Sequence, residues 1–250
     1  MEKYRIRFSK DGRAKFMSHL DLLRMFSRLA RREDIDLEYS SGFNPHAEIV
    51  FSAPLPLGMT SDAEYVDLQL AGEVDENELL DKLARSLPEG IRPFKIRHLV
   101  PGEPNVMRNV EYCSYLISVR FGDERSREIF PESVKNCLSD ENGIFTMKKS
   151  KSGTKYVDIR SMIREFGTEF DVVDGDECTF RAVLAAGNEN NLRPEVAFRG
   201  IIDKINGIDA DNGAENDSIG RNDLPETAVF CDMLSARKLG YLDKNGNELW

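Results

Sequence analysis

The side chains best suited to recognition or catalysis crowd into residues 16–64. Wound at about 100° per residue, the stretch from Ser18 to about Glu33 places Leu22, Leu23, Phe26, Leu29 and Ala30 on one side of a helix. Arg24, Arg28, Arg31 and Arg32 fall on the opposite side. Guanidinium groups ranged along one face suit a polyanion, because each can hold a phosphate through two parallel hydrogen bonds. A solvated outer face is the plain alternative. Phe43, in the turn Gly42-Phe43-Asn44-Pro45-His46, could stack on a base or plug the loop. His19, His46 and His98 are the only three histidines. Imidazole titrates near neutral pH, so His19 or His46, helped by Tyr39, could act as the acid or base of a metal-independent ribonuclease. The simpler reading has His19 bonding a loop at the helix start and His46 pinning its turn, and it is preferred. Glu48, Glu64 and Asp67 could pair on a sheet face, but strands routinely carry such residues toward solvent, and they are given no functional weight.

The elements that must hold these groups follow from patterning. Tyr4–Phe8 alternates polar and apolar residues, as a half-buried strand does. Ser18 is suited to cap the basic helix, with Asp21 in the reciprocal capping-box position. Leu37–Tyr39, Glu48–Ser52 and Glu64–Leu70 read as strands, Asp75–Ser86 as a helix with Leu79, Leu80 and Leu83 inward, and Ile91–Val100 as a strand. Pro101-Gly102-Glu103-Pro104-Asn105 breaks both periodicities. The order then recurs: a strand at Tyr115–Phe121, a helix at Pro131–Leu138, and strands at Phe145–Lys149 and Lys155–Ile159 around a turn at Lys151-Ser152-Gly153-Thr154. A strand at Cys178–Ala185, a helix at Pro194–Ile205 and a strand near Val229–Ala236 complete it. This order predicts an α+β fold of two tandem ferredoxin-like (βαββαβ) units, mostly antiparallel sheets with helices on one face. The expected division is 1–100 for the first unit, 101–112 for a linker and 113–250 for the second. Residues 207–228, rich in Asn, Gly and acidic groups, form an expected mobile loop.

Composition bounds the function. The 250 residues carry 34 basic and 44 acidic side chains, a net charge of −10, which rules out an overall basic coat. Residues 1–32 nevertheless hold ten basic groups against three acidic ones, and Lys148, Lys149, Lys151 and Lys155 make a second basic patch on the expected hairpin. Placed basic patches on an acidic chain favour one nucleic-acid-facing surface, although the hairpin lysines alone read better as solubilising charge. Cys113, Cys137, Cys178 and Cys231 are too scattered for a disulfide framework, a zinc site or a cluster site, so neither metal nor cofactor is expected. Nucleotide-binding glycine signatures are absent as well. Apolar runs fall short of a membrane span, and Met1–Arg5 has no apolar segment behind it, so a cytoplasmic location is expected.

Phe16-Met17-Ser18-His19-Leu20-Asp21-Leu22-Leu23-Arg24, Tyr39-Ser40-Ser41-Gly42-Phe43-Asn44-Pro45-His46, Pro54-Leu55-Pro56-Leu57-Gly58 and Ser61-Asp62-Ala63-Glu64 together resemble the radical SAM-linked protein family. This is a bacterial domain of unknown function, found alone or fused behind a radical S-adenosylmethionine domain. The resemblance covers about a fifth of the chain and makes Ser18, His19, Asp21, Gly42, Asn44, Pro45 and His46 its motif residues. Ala47 departs from it, standing where relatives carry a second proline. The family supplies no catalytic residues. It implies a radical SAM protein acting in trans, since this chain lacks three clustered cysteines, with RNA or the ribosome as a further partner; neither DNA nor a membrane is expected as a partner. Three readings follow in order: a non-catalytic RNA-binding accessory module, an adaptor docking the radical SAM protein through Ser18–Gly58, and a ribonuclease.

Overall fold

In a computed structural model of the chain, residues 1–150, 153–187, 190–208 and 228–250 are described. The fold is mixed α+β, with mostly antiparallel strand pairing and four helices among the described residues. It divides into two compact units, residues 1–112 with 237–250, and residues 113–236. The sequence reading gives 237–250 to the second unit, but these residues pack with the first. Most of the acidic stretch 207–228 lies outside the described residues.

The first unit runs β1 (Glu2–Lys10), α1 (His19–Arg32), β2 (Ile49–Phe51), β3 (Thr60–Leu70), α2 (Glu76–Ser86) and β4 (Ile91–Leu99). Its strands lie in the order β4-β1-β3, with β2 beside β3. Antiparallel register places Ile6 against Val66 on one side and Ile96 on the other. One core gathers Tyr4, Ile6 and Phe8 from β1, Leu22, Phe26 and Leu29 from α1, and Leu79 and Leu83 from α2. Full burial of each such side chain contributes about 1.5–3 kcal/mol. Leu80 is only half-buried, and Leu37–Tyr39 forms isolated bridges to Leu70 and Ala47 instead of a strand.

The segment expected as a linker is tied down. Buried Arg5 holds Asp67 at 2.7 and 2.9 Å and donates to the Pro104 carbonyl, while Asp67 also accepts from the Val106 amide at 3.0 Å. Residues 101–112 therefore belong to the first unit.

The second unit runs β5 (Tyr112–Phe121, from its second residue), α3 (Glu124–Ser139), β6 (Phe145–Ser150), β7 (Gly153–Asp158), β8 (Ile163–Asp174), β9 (Glu177–Ala185), α4 (Pro194–Ile205) and the first half of β10 (Cys231–Leu242). Its main strands order as β10-β5-β9-β8, while β6 and β7 form a separate two-stranded sheet among the described residues. The sequence reading overlooks β8, which pairs antiparallel with β9 through three register shifts. It also starts α3 seven residues late. Asp123 caps that helix by accepting from the Ser126 amide, so Pro131 sits in the interior. A proline there cannot donate to the carbonyl one turn back, at Arg127.

Candidate nucleic-acid interface

Helix α1 begins as its sequence dictates. The Ser18 hydroxyl accepts from the Asp21 amide at 3.2 Å, and the Asp21 carboxylate accepts from the Ser18 amide and hydroxyl, closing a capping box. That hydroxyl bond, chiefly, holds the Asp21 carboxyl below the usual aspartate range. With Leu22, Phe26, Leu29 and Ala30 buried, the arginine face turns outward. Arg24, Arg28 and Arg32, with Asp21, line one groove of about 470 Å³, floored by Met17, Met25 and Leu29 and closed by Ser86 at the end of α2 and Pro88 just beyond it. Arg31 is exposed on the same stripe but outside the groove lining. Arg32 donates to the Ser86 carbonyl at 2.7 Å, and Arg24 stands 3.9 Å from Asp21. Among the described residues, the side chains of Arg28 and Arg31 have no hydrogen-bond or ion-pair partner. The methionines of that floor are the part that sequence reading missed: Met17 and Met25 belong to neither the apolar side nor the arginine side that helical spacing picked out.

The larger basic excess of residues 1–32 does not all reach this surface. Arg5 is committed to Asp67, Arg7 pairs with Glu248, and Lys10 is buried, donating to the Met17 carbonyl at 2.7 Å. That last bond fixes the chain just before the α1 cap. Glu64 and Asp67, each 4% exposed, do not face solvent. Glu64 is ion-paired with buried Lys238, whose ammonium group also donates to the Tyr241 hydroxyl at 2.9 Å. The cause is strand register: Lys10 pairs with Ser61, and Lys238 pairs with the same Ser61 from the other side. Two ammonium groups thus converge near one carboxylate. Burial pushes the Lys10 pKa down, Glu64 opposes that shift, and Lys238 adds to it.

The histidines take separate positions. His19 is half-buried and packs edge-on against Phe51, with ring centroids 5.5 Å apart; among the described residues no side-chain hydrogen bond to a loop accompanies it. His46 does pin its turn, its Nδ1 lying 2.7 Å from the Ser40 hydroxyl, which in turn accepts from the His46 amide at 3.1 Å. The loop needs Gly42 at φ +142°, and Gly58, at φ +87°, donates its amide to the Lys15 carbonyl. Asn44 and Pro45 are exposed in the same turn, as is Tyr39. No hydrogen bond joins His19, His46 and Tyr39 among the described residues. Phe43 is fully exposed, which excludes the plug and leaves its ring open. His98 serves the opposite end of β4, bonded to Glu2 and stacked on Tyr4.

Among the described residues no three His, Cys, Asp or Glu side chains group as metal ligands, and no helix is long and apolar enough to cross a membrane.

A mixed α+β chain with a basic groove on its first helix is what the geometry defines. Residues 3–194 match the family described as "Uncharacterized protein conserved in bacteria (DUF2344)", and the chain belongs to that family. No curated protein matches it. A chain of the solved structure titled "Crystal Structure of a Cbf5-Nop10-Gar1 Complex" is similar over 95% of this chain and 48% of that one, with a TM-score of 0.45 and 11% identity. This protein spans about half the length of that chain.

Proposed function

We propose that the protein is a non-catalytic accessory module that binds RNA through helix α1, working beside a radical SAM protein. The observation that carries the RNA part is the groove shared by Arg24, Arg28 and Arg32, with Arg28 and Arg31 uncommitted among the described residues. Phosphates meeting these guanidinium groups release condensed counterions, so binding should weaken steeply with salt. Exposed Phe43 offers a ring for an unpaired base. The radical SAM partner rests on the resemblance of the Phe16–Arg24, Tyr39–His46, Pro54–Gly58 and Ser61–Glu64 strings. A cytoplasmic location belongs to the same proposal. We also read each unit as a ferredoxin-like βαββαβ plan. The strand orders β4-β1-β3-β2 and β10-β5-β9-β8 support this, with the β6–β7 hairpin inserted in the second.

The test is RNA binding by the full chain at two salt concentrations, wild type against Arg24→Ala/Arg28→Ala. Binding that falls with salt and drops in the variant supports the module. Absence of binding at low salt rejects it.

A second reading has its own observation. Phe16, Leu20 and Leu57 are exposed around the α1 start, and Gly58 lies against the Phe16 ring. Such an apolar cluster beside arginines suits an adaptor face for the radical SAM protein. A complex with that protein which survives Arg24→Ala/Arg28→Ala but not Leu20→Asp would favour the adaptor.

A further inference from the structure

The second unit carries a feature that the α1 groove does not explain. In the β6–β7 hairpin, Met147 faces Tyr156 and Phe145 faces Asp158. Strand alternation sends Thr146 inward, where it is buried against Gly200 of α4, and turns Phe145, Met147 and Tyr156 outward. These three are 39%, 43% and 43% exposed. Phe145 and Tyr156, diagonal neighbours across the hairpin, stack with centroids 5.0 Å apart and planes 12° apart. Phe130, Phe166 and Phe180 of the same unit behave differently: they are buried and meet at tilted angles. In a parallel pair each ring spends one face on its neighbour, and both rings remain half-exposed.

Met147 also borders a groove of about 540 Å³ whose far wall is the start of α4, with Arg193, Glu195 and Arg199. Arg193 has no side-chain partner among the described residues, and Arg199 stands 3.5 Å from Asp203. Stacked flat rings beside a groove with more cations than acids match a base followed by its phosphates.

We infer that this hairpin face is a stacking platform for unpaired nucleotides. A base continues the Phe145–Tyr156 stack, and the adjoining phosphates meet Arg193 and Arg199. The inference rests on the RNA-binding reading for the polymer and adds its form. A duplex hides the faces of its bases, so only single-stranded RNA can use the platform. A protein partner could also cover aromatic and arginine side chains, but the near-parallel stack and the cationic groove wall favour the polyanion.

Fluorescence anisotropy with the full chain would compare a short single-stranded oligoribonucleotide with a duplex of equal length. Tyr156→Leu keeps apolar volume on the hairpin and removes the ring; Arg193→Ala removes a groove cation without touching the stack. Tyr156→Leu should weaken single-strand binding about 5- to 100-fold, the loss of one base stack, and leave duplex binding nearly unchanged. Arg193→Ala should flatten the salt dependence of single-strand binding. Unchanged single-strand affinity in both variants, alongside a loss in Arg24→Ala/Arg28→Ala, overturns the platform and leaves the α1 reading standing. No RNA binding by the wild type overturns both. Loss of a protein partner in Tyr156→Leu with RNA binding intact makes the hairpin a protein-docking face and likewise overturns the platform.

Discussion

Removing the Glu64 carboxylate would leave the Lys10 and Lys238 ammonium groups buried without their nearby counter-charge. Breaking one side of a buried ion pair typically costs about 3–5 kcal/mol. Glu64→Ala should therefore lower the unfolding free energy, read from a denaturant titration, by an amount in that range, whereas Asp62→Ala, at an exposed pair with Arg237, should change it little. The same residues show where sequence reading ends. Alternation along β3 places a carboxylate on a strand face, but which face is covered depends on β10, which pairs with β3 from more than 170 residues away. Thiols supply a second prediction. Burial pushes Cys137 up to about 11 and Cys231 up to about 12. An unfolded thiol ionises near about 8.5, so between that pH and the folded values the unfolded chain binds fewer protons. Stability should accordingly fall as pH rises through this window. At pH 8 the native chain should react slowly with a thiol reagent, and after denaturation all four cysteines should react.

Among the helices, α1 was the most legible and α3 the least. The α1 cap, its apolar stripe and its arginine face all lie within sixteen residues, so local chemistry decides them. Ser18→Ala should cost about 1 kcal/mol through the lost cap, read as a lower thermal midpoint, without altering the arginine groove. In α3 the proline misleads, because Pro131 suits a first turn by itself, and only the Asp123 cap eight residues earlier shows that the helix has already begun. Pro131→Ala should stabilise the protein by about 1–3 kcal/mol by restoring the bond to the Arg127 carbonyl. Strand β8 escaped notice because its register shifts and Gly167 break the alternation that marks a strand. The α1 groove was half legible: its arginines follow from helical spacing, while its wall at Ser86 and Pro88 comes from tertiary packing.

For the whole molecule, the net charge of −10 makes binding to a polyanion depend on local cations. Each phosphate contact contributes a slope of about −0.7 to −0.9 in log affinity against log salt. Arg24→Ala/Arg28→Ala should therefore flatten that slope by about 1.4–1.8, a change that a purely structural defect would not produce. The first unit's division along the chain sets a timetable for its birth. Residues 1–112 leave the ribosome before residues 113–236, and only afterwards do 237–250 arrive with Lys238, Tyr241 and the Leu249 carbonyl that accepts from Tyr65. At about 5–20 residues per second, the unfinished unit waits roughly 6–25 s for its last strand. During that interval the Glu64 carboxylate and the β3 edge have no Lys238 beside them, so a released chain truncated after residue 236 should be open to protease in the first unit while the second is guarded.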